Sequence, residues 1–309
     1  MNELDLARHS RLIDPHLNVW GWEIPAYLFL GGMAAGIMFL SSLLHARSGE
    51  RSRTARWLPL LAPALVSLGM IALFLDLGRK VAVWRFYLAF RWTSPMSWGA
   101  WILLVVIPVS ILFGLATLGD ADVAVLERRM PMGGGIVRSG RAFALRHARG
   151  LRIANLVLGV GLGGYTGVLL STLGARALWG SALLGPLFLV SGISSGAALS
   201  MLLRISPEER TFLARADVHA MWLELALIFF FLVGLATSGE AGRAGARLVL
   251  GGPFTATFWS LVVIAGLVIP STLELLERRR HLPATAVAPA LVLLGGFGLR
   301  WLLVAAGQL

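Results

Sequence analysis

The stretch Ile24–Leu44, IPAYLFLGGMAAGIMFLSSLL, runs 21 residues without a charged side chain. About 20 mainly apolar residues suffice for an α-helix to cross roughly 30 Å of hydrocarbon, so this segment reads as a membrane span. Seven further segments qualify on the same ground: 57–75, 97–119, 153–175, 177–203, 218–238, 251–273 and 282–306. The fifth is the longest and is expected to begin as an interfacial turn. Within these limits only Glu224 and Arg300 carry charge, and Glu274 directly follows the seventh. The fold class expected is therefore an all-α integral membrane protein of eight transmembrane helices.

The composition agrees. Of 309 residues, 57% are hydrophobic and 14% charged, with a mean hydropathy of +0.78. Soluble domains carry about 25% charged residues, so much of this surface must face lipid. The polar beginning MNELDLARHSRL lacks a basic region followed by an apolar core and a cleavage site, and no cleavable leader is expected. The sequence has no cysteine, which removes disulfides, thiolate catalysis and a cysteine-held iron–sulfur cluster in this polypeptide.

The net charge of +11 is read as a topology signal rather than as affinity for nucleic acid. Loops after spans one, three, five and seven hold 17 arginines: Arg47, Arg51, Arg53 and Arg56; Arg128, Arg129, Arg138, Arg141, Arg146, Arg149 and Arg152; Arg204, Arg210 and Arg215; and Arg278, Arg279 and Arg280. The opposite side holds 9 basic residues: Arg8, Arg11, Arg79, Lys80, Arg85, Arg91, Arg176, Arg243 and Arg247. Cytoplasmic loops carry the excess of Lys and Arg. Both termini are thus expected on the periplasmic side of a bacterial or archaeal inner (cytoplasmic) membrane. The loop 120–150, rich in Arg and Gly, reads as a topology determinant.

A shift of 160 residues lays span one on span five, placing Gly32 on Gly192, Ala35 on Ser195 and Gly36 on Gly196. Both segments carry a small-xxx-small face that permits close helix approach. Spans three and seven match more loosely, with Trp98 near Trp259 and Pro108 near Pro270. Four helices per unit make such repeats parallel. The expected architecture is one membrane domain, residues 1–309, of two side-by-side four-helix bundles, 24–175 and 177–306.

Polar chemistry collects on the side bearing the termini. Before span one stands DPHLNVWGWE, residues 14–23, and between spans two and three stands LDLGRKVAVWRFYLAFRWTSPMSWG, residues 75–99. The loop holds Asp76, four basic residues and the aromatics Trp84, Phe86, Tyr87, Phe90, Trp92 and Trp98. An interfacial aromatic belt accounts for the rings; a partner or ligand surface accounts better for basic residues on the disfavoured side. Tyr165 sits mid-span among small residues, where a phenol serves either packing or a ligand carbonyl. Glu224 is an intramembrane carboxylate, a candidate for proton transfer. Asp217 and His219 precede it by two turns and are placed near the cytoplasmic interface; Glu274 and Arg300 either pair or each reach an interface.

The six histidines, His9, His16, His45, His147, His219 and His281, lie in loops or at span ends. No pair is set to hold a haem from two helices, so no haem is expected. There is no G-x-x-x-x-G-K-[ST], H-E-x-x-H or G-x-S-x-G.

Four ordered motifs, W-x-x-P-A-Y-L-F-L-G-G-M-A-A-G (22–36), L-D-L-G-R with a following Trp and Phe (75–86), T-S-P-M-S-W-G-A-W (93–101) and Y-T-G-V-L-L-S (165–171), together resemble the NrfD/PsrC family of membrane subunits of polysulfide-reductase-like complexes. The resemblance covers essentially the whole sequence. It implies a haem-free anchor that binds quinone (menaquinone or ubiquinone) near the periplasmic face, beside an iron–sulfur protein subunit. It implies that His16, Asn18 and Tyr165 surround the quinone headgroup, with Asp76 and Arg79 behind them or against the partner. Lys80 stands where the family loop often has Pro, a departure that loosens the backbone expectation there. Lacking cysteine and a haem pair, this polypeptide cannot itself carry electrons. The cluster protein and the catalytic subunit, a molybdopterin enzyme, would therefore be separate polypeptides. The reading from another class is a secondary transporter or proton channel that uses Glu224, favoured by the repeat and opposed by polar groups gathered at one face.

Overall fold

The structure, a computed structural model, describes residues 20–77, 80–88, 90, 92–129, 133–172, 178–280 and 285–308. Eight helices are long and apolar enough to cross a membrane: α1 Glu23–Leu44, α2 Arg53–Asp76, α3 Pro95–Thr117, α4 Ala148–Ser171, α5 Leu184–Leu202, α6 Pro207–Thr237, α7 Thr255–Arg279 and α8 Val287–Gly307. Among the described residues there is no strand. Helices Asp120–Arg129 and Gly134–Arg146 join α3 to α4, and Gly239–Val249 joins α6 to α7.

Helices α1 to α4 pack in a ring, each against its sequence neighbours and α4 against α1; α5 to α8 form a second ring by the same rule. Contacts between the rings are made by α1 with α5, α4 with α5, and α1 with α8. The centre falls to α1 and α5, whose apolar windows are 78% buried, against 33% for α6. Glycine decides this placement. A methyl group on Gly36 would strike the Gly192 carbonyl, and one on Gly196 would stand 2.7 Å from the Gly36 backbone. The two small-residue faces expected to admit close neighbours therefore admit each other.

Helix starts explain where the spans differ from their hydropathic limits. Ser206 caps α6 by accepting from the Glu209 N–H at 3.3 Å, while Glu209 accepts from the Ser206 N–H at 3.0 Å. This is a capping box, and Pro207 occupies the first turn. The same carboxylate accepts from the Ser52 N–H at 2.9 Å and the Ser52 hydroxyl at 2.6 Å, at the cap of α2. One side group thus ties a helix start in each half. α6 consequently begins eleven residues before the apolar stretch read at 218–238, because its first turns, PEERTFLARAD, are too polar for a hydropathy window. Span five shows the reverse: its helix begins at Leu184 after a turn at 178–183, the interfacial entry expected of it.

Helix α7 is π-helical over Phe258–Val268. A methyl group on its Gly266 would meet the α8 backbone at Gly295.

Candidate functional site

At the end of the helices where Trp20 and Gln308 lie there is a partly open cavity of about 590 Å³. Its wall is built by the first half. Trp20 precedes α1, Ile24 and Tyr27 open it, Phe74 and Asp76 close α2, Val83 and Tyr87 come from the loop, Gly99 and Leu103 from α3, and Tyr165 and Leu169 from α4. The lining is mainly apolar with phenols and one carboxyl. That composition, at this volume, suits a flat, largely hydrophobic ligand with a few polar atoms.

Tyr165 is 7% exposed and lies against Gly99, where an added methyl group would overlap the phenol oxygen and ring. The small residue of the SPMSWG motif is therefore what lets the phenol reach the cavity. Asp76, the last residue of α2, lies on the same wall. Of the five residues assigned to a quinone from the sequence, the structure brings Tyr165 and Asp76 together; His16, Asn18 and Arg79 lie outside the described residues.

The loop between α2 and α3 divides its aromatics. Tyr87 is half-buried and turns to the cavity, and burial pushes its phenol pKa up. Trp84, Trp92 and Trp98 are exposed. Arg85 sits over the Trp84 ring at 5.5 Å and Lys80 over Phe74 at 5.9 Å, leaving a basic, aromatic outer surface beside the cavity. Tyr27, Trp20 and Tyr87 were not assigned to the site by sequence reasoning. Tyr27 lies within the motif that opens α1 and Trp20 just ahead of it, and this was the available signal.

Besides the capping Glu209, the second half buries four charged residues, Asp217, Glu224, Glu274 and Arg300. Arg300 is fully buried on α8. It donates to the Ser191 hydroxyl at 2.6 Å, to the Gly296 carbonyl at 2.9 Å and to the Phe188 carbonyl at 3.2 Å. Its guanidinium lies 5.2 Å from the Phe188 ring centre and 5.9 Å from that of Phe29, and a methyl group on Gly32 of α1 would be 3.0 Å from it. Ser191 and Glu224 of α6 line the same small niche beside this cation. The Glu224 side chain faces a small niche with Ser194, Ser195, Gly295 and Gly296.

Two turns nearer the start of α6, Asp217 is fully buried and accepts from the Ser194 hydroxyl at 2.5 Å. Its second oxygen and both oxygens of Glu274 on α7 are buried with no donor among the described residues, and the two carboxyls face each other. A shared proton satisfies such a pair. Asp217 is therefore enclosed by protein rather than solvated, because α6 already packs against α5 and α7 over the turns that precede its apolar stretch. Glu274 pairs with Asp217, not with Arg300. His219 occupies the exposed face of α6, where its ring lies 2.5 Å from the Arg215 carbonyl, and it does not join this arrangement. Among the described residues no cluster of His, Asp and Glu is shaped to hold a metal ion.

The family described as "Polysulphide reductase, NrfD" matches residues 12–309. "Protein NrfD" of Escherichia coli (strain K12) is 35% identical over 305 residues, covering 94% of this sequence and 95% of that protein. The C polypeptide of the polysulfide reductase of Wolinella succinogenes is 30% identical over 306 residues, covering 94% of each. The C polypeptide of the selenate reductase of Mesobacillus selenatarsenatis is 25% identical over 313 residues, covering 92% of this sequence and 73% of that protein. With eight spans, the four ordered motifs and a match over nearly its whole length, this multi-pass membrane protein belongs to the NrfD (polysulphide reductase) family.

Proposed function

We propose that the protein is the quinone-interacting membrane subunit of a respiratory oxidoreductase complex. The observation that carries this reading is the apolar cavity of about 590 Å³ with Tyr165 and Asp76 on its wall. Relatives named as parts of polysulfide and selenate reductases support the assignment to such a complex. A bound quinone supplies two-electron chemistry that requires proton exchange at its carbonyl oxygens. The phenol of Tyr165 would donate a hydrogen bond to one of them, His16 and Asn18 would hold the other, and the apolar walls would exclude water. His16 would also relay a proton, because an imidazole both takes up and gives up a proton readily.

Electrons arrive from, or leave to, a separate iron–sulfur subunit. It docks on the outer surface formed by Lys80, Trp84, Arg85 and Trp92, which lies beside the cavity and so keeps the transfer short. A catalytic molybdopterin subunit lies beyond it. The excess of arginine on the opposite loops supports a periplasmic location for this face, in a bacterial or archaeal inner membrane. The two rings, 24–175 and 177–306, are read as the parallel repeat.

In the second ring, Glu224 and Asp217, extended by Glu274, form the route by which protons move through the membrane. The buried carboxyl pair also keeps a second reading in view, a proton channel or secondary transporter in its own right. Purification separates the two: a co-eluting cluster protein and quinone support the first, solute accumulation by the protein alone in vesicles the second.

The site is tested by His16→Ala in the intact complex. Quinone-coupled turnover is expected to vanish while dye-linked activity of the catalytic subunit persists; unchanged quinone turnover overturns the assignment.

A further inference from the structure

The cavity belongs to the first half, yet one of its walls is held by the second. Gln308, at the end of α8 and 6% exposed, faces the segment just ahead of α1. Its Oε1 accepts from the Trp20 N–H at 3.0 Å and its Nε2 donates to the Trp20 carbonyl at 3.1 Å. Both Trp20 groups precede the first helical turn and have no helical partner of their own. The Trp20 ring stacks on Trp179 at 5.2 Å with 28° between planes. Trp179 is fixed in turn by donating its indole N–H to the Leu303 carbonyl of α8 at 2.7 Å, with Gly307 leaving room for the ring. Trp20 itself lines the cavity.

We infer that Gln308 is a positioning residue for the ligand cavity: its amide clamps the Trp20 backbone so that the indole stands as a fixed wall. The chemistry is specific to an amide. The clamp needs one acceptor and one donor on the same planar group, which glutamine supplies, alanine lacks and a carboxylate supplies only in part. Removing one partner of a buried hydrogen bond leaves the other unsatisfied, so without Gln308 the Trp20 peptide turns to find water and the indole leaves its place. Trp179 backs the clamp by packing rather than by contact with ligand.

This inference rests on the quinone reading of the cavity, and one experiment separates the two. The probe is the quinol analogue 2-heptyl-4-hydroxyquinoline N-oxide, titrated by fluorescence quenching against the full-length protein in lipid nanodiscs. Saturable quenching by the unaltered protein is expected; its absence overturns the quinone reading itself. Gln308→Ala is expected to weaken binding about tenfold while the melting temperature stays within a few degrees. Trp20→Ala is expected to weaken it at least as much, and the double variant no further than Trp20→Ala alone, because the amide acts through that residue. Unchanged binding in Gln308→Ala, or losses that multiply in the double variant, overturn the positioning role. Should Gln308→Ala not fold, Gln308→Glu, which keeps the acceptor and loses the donor, takes its place in the same cycle.

Discussion

The two halves share a glycine seam and a ring of four helices, but they use their interiors differently. In the first half the end near Trp20 is left open, and the polar groups there, Tyr27, Asp76, Tyr87 and Tyr165, edge an apolar space. In the second half the corresponding end is filled, with Trp179, Phe231, Leu235, Val249, Phe258 and Leu303 belonging to one core. Its polar groups lie deeper and are wholly enclosed: Arg300, Glu224, Asp217 and Glu274. One half is shaped for a ligand and the other for charge. A buried charge without partners costs several kcal/mol, and lipid offers none, so four in a row across α6, α7 and α8 imply a use beyond packing.

The seam is where both halves are most exposed to damage. Gly36→Leu drives a side chain into the Gly192 backbone, which cannot give way without parting α1 from α5. Loss of several kcal/mol is expected, enough to abolish the folded protein in membranes, as read by detergent-extracted yield and melting temperature. Near-normal yield would mean that the rings do not meet through this face.

Next in size is Glu224→Gln. Proton movement by the reconstituted complex is expected to fall to background, while binding of the quinol analogue stays within about twofold. If binding falls with it, charge chemistry and ligand chemistry are not divided between the halves as the geometry suggests.

Tyr165→Phe removes one hydroxyl and little volume. Quinone-coupled turnover is expected to drop about tenfold to a hundredfold, with dye-linked activity intact. Gly99→Ala should do similar harm by displacing the ring, because the added methyl group overlaps the phenol. A Gly99→Ala protein with full turnover would remove Tyr165 from the account.

The smallest expected effect concerns His45, just past α1. Its Nδ1 donates to the Ser41 carbonyl at 2.8 Å, and its Nε2 is buried with no partner among the described residues. Burial, with the Arg51 and Arg152 charges nearby, pushes its pKa below the ordinary imidazole value. The folded state then binds a proton less readily than the unfolded state. Stability from this group is full above about pH 6.5 and declines as pH falls toward the lowered pKa. A melting temperature that drops by a few degrees between about pH 7 and pH 5, and a flatter profile in His45→Gln, are the expected readings.

What the residues disclose unaided divides along the same line. Eight apolar stretches were legible because hydropathy is a property of composition, and the glycine faces were legible because spacing alone defines them. The burial of Asp217 was not, since the polar turns that carry α6 past the apolar window look like loop, although S-P-E-E at 206–209 is a recognisable capping box. The pairing of Asp217 with Glu274 depends on how α6 and α7 lean together. The cavity is a lack of side chains and has no letters of its own; only Tyr165 and Asp76 on its wall stood out from the motifs. The Trp20–Gln308 clamp joins residues 288 positions apart, beyond anything local pattern conveys.

The central claim is that the first half alone holds the ligand. It is tested most directly by photolabelling the complex with an azidoquinone and mapping the modified peptides by mass spectrometry. Labels are expected within 20–28, 70–87, 94–103 and 165–172, the segments around the cavity, and are expected to vanish when excess quinol analogue is added. Labels confined to peptides of the second half, around Glu224 or Glu274, would contradict it.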